Sequence, residues 1–267
     1  MREVTRNHLT LGSGPVKVAV PLLGKNREEL FAELRLLPDA SADLIEWRID
    51  CLSPFPAETE FLALAREVKR ELGTLPLLIT FRSSSEGGKL PLDAVDYAGL
   101  QLRLAEEKIP DLLDVELFSG LKEPASHIAA LKAHGIPVIA SRHFFSETPP
   151  TEELRETLTA LRDSGADIPK LAVMTKSTED LLTLLAFSAE WRRNADCPFV
   201  LIGMGPHGVL SRISGAEFGS CLSFGALRES SAPGQLPARE LKRILSLLSE
   251  YPVPDATEPR RLTRVKK

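Results

Sequence analysis

The stretch PKLAVMTKSTEDLLTLLAFSAEWRRN, residues 169–194, joins one strand pattern to the helix pattern that follows it. Residues 169–174 form a short apolar run, which is typical of a buried strand. From Ser177 onward, apolar side chains recur at helical spacing, and Asp180 stands three residues after Ser177, as in a capping box. The stretch therefore predicts a strand connected to a helix by a short loop.

The same pattern of a strand followed by a helix recurs along the chain. We predict eight strands, at VKVAVP, DLIEWRI, LPLLITFR, DLLDVEL, PVIASRHFF, PKLAVM, FVLIGM and CLSFGAL. Helix patterns lie between them, and Asn26 and Thr151 are further predicted caps. Eight such units at a spacing of roughly thirty residues are typical of a (β/α)8 TIM barrel, which needs about 250 residues.

An open, doubly wound sheet is the alternative architecture. Its nucleotide-binding fingerprint, G-x-G-x-x-G after the first strand, is absent from this sequence, because the glycines of GSGPVKVAV precede the strand. The pattern therefore favours the barrel. Residues 1–16 look like a hairpin that would cover the bottom of the barrel.

The sequence contains no Gly/Ser-rich linker, low-complexity tract or repeat that would divide it. We therefore predict a single (β/α)8 barrel domain over residues 1–267, with the N-terminal hairpin at 1–16. Residues 252–267 include the basic run PRRLTRVKK, and we expect them to form a flexible tail.

Composition narrows the class of function. With 267 residues, 43% of them hydrophobic, the chain can fill a large core, and its net charge of -4 disfavours nucleic acid or an anionic membrane as partner. No apolar run approaches the ~20 residues of a membrane helix. Three widely spaced cysteines indicate neither a disulfide framework nor a metal site. We expect a cytoplasmic protein that binds a small molecule.

Polar side chains occupy the carboxyl ends of several predicted strands, two residues apart. Residues at this spacing share one face of a strand, and in a barrel one face is the interior. A single pair can be a structural ion pair, but several pairs that converge on one interior favour an active site at the carboxyl-terminal rim. The pairs are Glu46 and Arg48, Thr80 and Arg82, Asp114 and Glu116, and Ser141 and His143.

Lys170 stands near the start of an apolar strand, although lysine is among the residues least often buried. Either its side chain reaches solvent or the protein uses it in chemistry. A free lysine, with a pKa of about 10.4, loses its proton at pH 7 at a cost of about 4–5 kcal/mol. An apolar interior with cationic neighbours lowers this cost, so the sequence favours imine formation between Lys170 and a carbonyl compound.

Two further kinds of side chain complete the predicted site. His143, at the end of the preceding strand, is the candidate general acid and base because histidine titrates near neutral pH. Arg48, Arg82 and Arg212 add positive charge, which indicates a carboxylate-bearing or otherwise anionic substrate.

Seven motifs resemble those of one known family in their order and spacing. They are EWRID, TFRSSSEGG, DVEL, SRHFF, IPKLAVM, GVLSRISGAEFGS and SAPGQL. The likeness extends from about Val16 to Tyr251, and it is to type I 3-dehydroquinate dehydratase of the shikimate pathway. It implies a TIM barrel lyase that dehydrates 3-dehydroquinate to 3-dehydroshikimate through a lysine Schiff base, without a metal or organic cofactor, and as a homodimer.

The resemblance also implies roles for catalytic residues. Lys170 matches the lysine that forms the imine with the substrate ketone. His143 matches the general acid and base, and Glu86 matches the acidic residue that orients and tunes this histidine. All three positions carry the residue type that the family requires.

Further positions match the groups that bind the substrate in the family. Arg212, with Ser231 and Gln235 of the SAPGQ loop, matches the groups that hold the substrate carboxylate. The residues that match those contacting the ring hydroxyls are Glu46, Arg48 and Arg82.

The chain departs from the family pattern at several positions. Phe144 stands where many relatives have an acidic residue, and Thr175 and Lys176 stand where Pro-Gln is common. Residues 205–208 form an unusual GPHG loop, in which we expect His207 to be a surface residue.

The sequence leaves two other functions as alternatives. A class I aldolase also uses a barrel lysine and an anionic carbonyl substrate, but the SAPGQL and EGG motifs have no role in it. A non-catalytic binding homologue would lack the lysine or the histidine, and this chain has both Lys170 and His143.

Overall fold

The computed structural model describes residues 2–91, 93, 96–118 and 120–251. The strands are β1 (Val4–Arg6), β2 (Leu9–Leu11), β3 (Lys17–Leu22), β4 (Leu44–Arg48), β5 (Leu77–Thr80), β6 (Leu112–Glu116), β7 (Val138–Phe144), β8 (Ile168–Met174), β9 (Val200–Met204) and β10 (Leu222–Phe224). The helices are α1 (Arg27–Leu34), α2 (Leu37–Ala40), α3 (Glu58–Leu72), α4 (Tyr97–Glu106), α5 (Pro124–Ala133), α6 (Thr151–Asp163), α7 (Thr178–Asn194), α8 (Val209–Ile213), α9 (Gly215–Phe218) and α10 (Ala238–Ser249). The tail predicted at residues 252–267 lies outside the described residues.

Strands β3 to β10 form one parallel sheet, in which successive strands from β3 to β9 pair and β10 pairs back with β3. The edges β9 and β10 meet at a bridge between Phe199 and Ser220, and the Cys221 N–H donates to the Phe199 carbonyl over 2.9 Å. The sheet is therefore nearly closed. The predicted (β/α)8 TIM barrel is confirmed, and the open, doubly wound alternative is wrong.

The strands separate two apolar clusters because successive side chains point to opposite faces. The outward cluster packs the sheet against the helices and includes Val20, Trp47 and Leu113. The inward cluster fills the amino-terminal end of the barrel and includes Leu78 and Leu112. Each side of the sheet thus buries apolar area, the main favourable contribution to folding.

The predicted N-terminal hairpin is confirmed, since β1 pairs antiparallel with β2. Its side chains Val4, Leu9 and Leu11 are buried in the same cluster as the inward residues of the barrel strands. The hairpin therefore covers the bottom of the barrel and leaves the carboxyl-terminal end for the site.

Local capping explains where α7 begins. The Ser177 side chain accepts a hydrogen bond from the Asp180 N–H over 3.2 Å, and the Asn26 side chain caps α1 in the same way, as predicted. The prediction for Thr151 is wrong, because the extended residue Pro150 precedes α6 directly and Thr151 is already helical. None of the helices in the described part of the chain has the length and apolar content needed to cross a bilayer.

Candidate active site

A pocket opens at the carboxyl ends of the strands. Its lining is Glu46, Arg48, Arg82, His143, Lys170, Ala172, Ile202, Met204, Arg212, Phe224, Ser231, Ala232 and Gln235. Of the nine residues to which the resemblance gives a role, all but Glu86 belong to this lining, and Glu86 contacts His143 from outside the pocket. Thr80, Asp114, Glu116 and Ser141, which also point inward, lie outside the lining. The structure thus brings the predicted residues together, while their roles stay predictions.

Lys170 projects from β8 into the barrel interior and is only 5% exposed. Its Nζ lies 3.5 Å from Asp114 Oδ2, 3.9 Å from Glu46 Oε1 and 4.5 Å from the centroid of the Phe224 ring. The sequence predicted apolar surroundings and cationic neighbours for Lys170. The structure adds these two carboxylates, with which the ammonium forms ion pairs. Asp114 and Glu46 reach Lys170 because β6 and β4 direct them inward.

The carboxylate of Glu86 holds His143 in a defined orientation. Glu86 Oε2 accepts a hydrogen bond from the His143 backbone N–H over 3.0 Å and lies 3.0 Å from His143 Nδ1. The turn that carries Glu86 ends at Gly87, whose φ of 86° favours glycine. A Cβ at Gly87 would also lie 2.2 Å from the Phe145 ring, so this turn depends on glycine.

Burial shifts the two partners of this pair in opposite directions. It raises the pKa of Glu86 to about 7, against the lowering effect of Arg82. Burial also lowers the pKa of His143 well below 6.5, and the charges of Arg82 and Lys170 add to this effect. The imidazole is therefore neutral at pH 7 and able to accept a proton.

Arg82 occupies the centre of a cluster of buried carboxylates beneath the pocket. Its Nη1 donates to Glu116 Oε1 and to Ser141 Oγ, each over 2.9 Å, and its Nη2 donates to Asp114 Oδ1 over 2.8 Å. Burial lowers the pKa of Arg82, but the surrounding carboxylates outweigh it and the net shift is upward. Because both terminal nitrogens are engaged, Arg82 offers a substrate mainly its charge.

The same cluster keeps Asp114 ionised. Burial alone would raise the pKa of this carboxyl group, but Arg82 and Lys170, with a hydrogen bond from Ser141, hold it below its usual value. The barrel interior therefore contains charged groups that compensate one another rather than isolated charges.

Arg48 is fixed by a residue that the sequence interpretation missed. Its Nε and Nη2 donate to the two oxygens of Asp50, each over 2.8 Å, in a bidentate arrangement. Asp50 is 1% exposed and also accepts the Arg82 backbone N–H over 3.1 Å. Asp50 lies in a short 3-10 turn, Ile49–Cys51, where the strand repeat no longer applies, so its place in the EWRID motif was the available signal.

Arg212 and the SAPGQ loop form the remaining wall of the pocket. Arg212 Nη2 donates to the Pro233 carbonyl over 3.0 Å, while its buried Nε has no hydrogen-bond partner among the described residues. Burial lowers the pKa of Arg212 to about 10, which still leaves it charged at pH 7. Within the loop, Gln235 Nε2 donates to Ser231 Oγ over 2.8 Å, and this contact holds both side chains at the pocket.

The structure also accounts for one of the departures from the family pattern, the threonine at position 175. The Thr175 backbone N–H and its hydroxyl both donate to the Met204 carbonyl, over 3.0 and 2.6 Å, and so connect the ends of β8 and β9. The Lys176 N–H donates to Asp180 Oδ2 over 2.7 Å, ahead of α7. His207 is exposed, as expected. No group of three or more His, Cys, Asp or Glu residues in the described ranges is arranged to hold a metal ion.

Comparisons with known proteins agree with the resemblance found in the sequence. The family model described as "Type I 3-dehydroquinase" matches residues 18–252. The chain is 37% identical over 247 residues to the 3-dehydroquinate dehydratase of Klebsiella pneumoniae (strain 342), covering 92% of this chain and 98% of that protein. It is 36% identical over 251 residues to the 3-dehydroquinate dehydratase of Salmonella agona (strain SL483), covering 94% of this chain and 100% of that protein.

Solved structures give the same result. A type I 3-dehydroquinate dehydratase from Clostridium difficile, with covalently modified comenic acid, superposes with a TM-score of 0.87 and 37% identity over 94% of this chain and 98% of that one. The 3-dehydroquinate dehydratase of Geobacillus kaustophilus superposes with a TM-score of 0.89 and 31% identity over 94% of this chain and 97% of that one. The predicted family is confirmed: this chain belongs to the type I 3-dehydroquinase family.

Proposed function

We propose that this protein dehydrates 3-dehydroquinate to 3-dehydroshikimate, a step of the shikimate pathway, through an imine on Lys170. The observation that carries the proposal is the position of the Lys170 Nζ in a pocket that also contains His143 and Arg212. Membership of the type I family supports the same reaction.

The substrate carboxylate binds at the wall formed by Arg212, Ser231 and Gln235. A buried guanidinium with an unpartnered Nε favours an anionic group in this place, because burial strengthens a charge-assisted hydrogen bond. Glu46, Arg48 and Arg82 also line the pocket, where Glu46 and Arg48 contact the ring hydroxyls and Arg82 contributes mainly its charge. These contacts hold the ketone of the substrate near Lys170, which is the orientation that imine formation needs.

The imine provides the electron sink for the elimination. The Lys170 ammonium first gives up one proton, and the resulting amine attacks the ketone carbon. The carbonyl oxygen then leaves as water, carrying that proton and one N–H proton of the amine, so that a protonated imine remains. The protonated imine then withdraws electrons from the neighbouring carbon and acidifies its C–H bond. This is the chemistry for which other enzymes recruit an organic cofactor.

His143 moves the protons. Its Nδ1 is next to Glu86, so Nε2 is the ring nitrogen left to act on the substrate. His143 removes the proton from the carbon next to the imine, and it returns this proton to the departing hydroxyl group, which leaves as water. Hydrolysis of the imine, again assisted by His143, regenerates Lys170 and releases the enone.

Borohydride trapping tests the role of Lys170. After reduction in the presence of 3-dehydroquinate, mass spectrometry of peptides should show a covalent adduct on Lys170 in the wild type, and none in Lys170→Ala. Lys176→Ala is the matched control, since this exposed lysine lies six residues farther along the chain and should leave the adduct unchanged. A wild-type protein that stays unmodified would exclude the imine mechanism.

The role of His143 has a separate test. In His143→Ala we expect the adduct on Lys170 to form while turnover falls by about 10²–10⁴-fold, the usual contribution of a general acid and base. Full activity of this variant would assign the base to another residue.

We further propose that the chain is a single barrel domain that works without a metal or organic cofactor, as a homodimer in the cytoplasm. The chemistry supplied by Lys170 supports the absence of a cofactor, and the family resemblance supports the dimer. Light scattering on the purified chain should give twice the chain mass of 29.3 kDa. A mass equal to that of one chain would contradict the dimer.

A further inference from the structure

Arg142 lies one residue before His143 but on the opposite, outward face of β7. Its guanidinium carbon is 5.5 Å from the centroid of the Phe118 ring and 5.1 Å from that of the Phe144 ring. Both distances are within the range of cation–π attraction. Arg142 Nη1 also donates to Glu86 Oε1 over 3.0 Å, so two rings and one carboxylate define its position.

Glu86 connects this outward group to the pocket. Its Oε1 faces Arg142, whereas its Oε2 faces the backbone N–H and the Nδ1 of His143, with Arg82 Nη1 at 3.4 Å. One carboxylate therefore contacts side chains on both faces of β7. A rotation of this carboxylate away from Arg142 would also change the contact of Oε2 with His143.

We propose that Arg142 is a positioning residue for the reaction: held by Phe118 and Phe144, it fixes the carboxylate of Glu86 against His143. The inference rests on the proposed function, in which His143 is the base. It adds a residue outside the pocket, and it gives Phe144 a part in the same arrangement.

The electrostatics of the pair agree with this geometry. Burial raises the pKa of Glu86 to about 7, and Arg82 and Arg142 oppose that rise. Burial lowers the pKa of His143, and Arg142 is among the cations that lower it further. Loss of the Arg142 charge would therefore favour the protonated form of both partners. The charged groups that act on the pair from the surrounding elements are Arg48, Arg82, Glu116, Arg142 and Lys170.

This arrangement gives a physical reason for phenylalanine at position 144. A carboxylate at position 144, which many relatives carry, would lie beside the guanidinium and compete with Glu86 for it. The Phe144 ring attracts the cation without taking its hydrogen bonds, so Arg142 Nη1 stays available for Glu86. Arg142 and Phe144 therefore act together in this chain.

The test is the pH profile of kcat/KM for dehydration of 3-dehydroquinate. In Arg142→Gln we expect the acid limb to move to higher pH by about one unit, because an opposite charge a few ångströms away shifts a carboxyl group by about this much. Arg142→Lys should recover part of the shift, since it restores the charge without the planar fork.

The matched control is Arg27→Gln. Arg27 also stacks on a ring, at 4.4 Å from the Phe31 centroid, and pairs with Glu67 at 2.8 Å, but it lies on α1, away from the pocket. Its profile should coincide with that of the wild type. An Arg142→Gln profile that is lowered equally at every pH, with its acid limb unmoved, would reduce Arg142 to a structural residue and overturn the proposal.

A double-mutant cycle tests the role of the ring. Phe144→Leu should shift the acid limb in the same direction as Arg142→Gln but by less, and it should add nothing in the Arg142→Gln background. An equal shift in both backgrounds would overturn the role assigned to Phe144. Borohydride trapping on Lys170 distinguishes a failure of the proposed function from a failure of this inference. If the wild type forms no adduct, the proposed function fails. If the adduct forms but the pH profiles of the variants are unshifted, only the role of Arg142 is contradicted.

Discussion

The two ends of the barrel interior are built from opposite kinds of side chain on the same strands. At the amino-terminal end, Leu44, Leu78 and Leu112 are fully buried among apolar neighbours and covered by the hairpin. Two residues farther along each strand, the inward positions are Glu46, Thr80 and Asp114. A single step of the strand repeat thus separates an apolar plug from a layer of polar and charged groups.

This difference shows which end of the barrel interior contributes to stability and which contributes to catalysis. The apolar end gains free energy from burial and needs no precise partner. The charged end gains little from its buried ion pairs, since desolvation offsets their attraction, but removal of one partner leaves the others uncompensated. Substitutions at the two ends should therefore separate folding from catalysis.

The largest expected effect comes from removing the central cation of the charged end. Arg82→Met leaves Asp114, Glu116 and Glu86 buried without their shared guanidinium, so we expect the free energy of unfolding to fall by about 3–5 kcal/mol and activity to be lost. Urea denaturation at pH 8 and pH 5 measures this loss, which should be smaller at pH 5, where the carboxyl groups can take up protons.

An exposed arginine provides the control for this experiment. Arg66 pairs with Glu107 at 2.6 Å on the surface, and Arg66→Met should cost less than about 1 kcal/mol. A similar cost for both substitutions would mean that the buried cluster is no more sensitive than a surface pair.

The apolar end should respond in stability alone. Leu112→Ala removes a fully buried side chain from the plug, and we expect the free energy of unfolding to fall by about 2–5 kcal/mol. Because Leu112 does not line the pocket, kcat/KM at 25 °C should change less than twofold. A tenfold decrease in kcat/KM of the folded variant would show that the two ends are coupled.

The charged end should also give stability a pH dependence that the plug lacks. The pKa of Glu86 is raised in the folded state to about 7 from an ordinary 4.5, mainly by burial, so its protonated form favours folding. This contribution is fully present below about pH 4.5 and is lost as pH rises through 7. Relative to Glu86, a glutamine at this position should therefore gain stability between pH 5 and pH 7.5.

The comparison is best made in a His143→Gln background, which removes the titration of the histidine. In that background, the stability gained by Glu86→Gln should be larger at pH 7.5 than at pH 5 by about 1–2 kcal/mol. Parallel stability curves with and without Glu86 would contradict the raised pKa.

The smallest effect is expected at the rim, where Thr175 connects β8 to β9. Thr175→Val keeps the shape of the side chain but removes one of the two hydrogen bonds to the Met204 carbonyl, at a cost of about 1 kcal/mol. Thr175→Ser keeps the hydroxyl and is the control. A thermal melt in which Thr175→Val is as stable as the wild type would show that the hydroxyl hydrogen bond contributes nothing.

Much of the site was predictable because the strand repeat is visible in the sequence. Glu46, Arg48, Arg82 and His143 alternate with apolar residues, and this alternation alone places them on one face. Glu86 lies in a loop, where no repeat applies, so only its motif pointed to it. The loop residues Ser231 and Gln235 were found in the same way.

The sequence by itself determined the order of the elements, the inward face of each strand and the residues on it, since these depend on local periodicity. It could not determine which inward groups meet, because that depends on the register between strands distant in the chain. Only the tertiary structure placed Asp114 of β6 beside Lys170 of β8, and only a turn over the end of β7 placed Glu86 between His143 and Arg142. Pairing across the barrel is a long-range property, and the chemistry of the pocket depends on it.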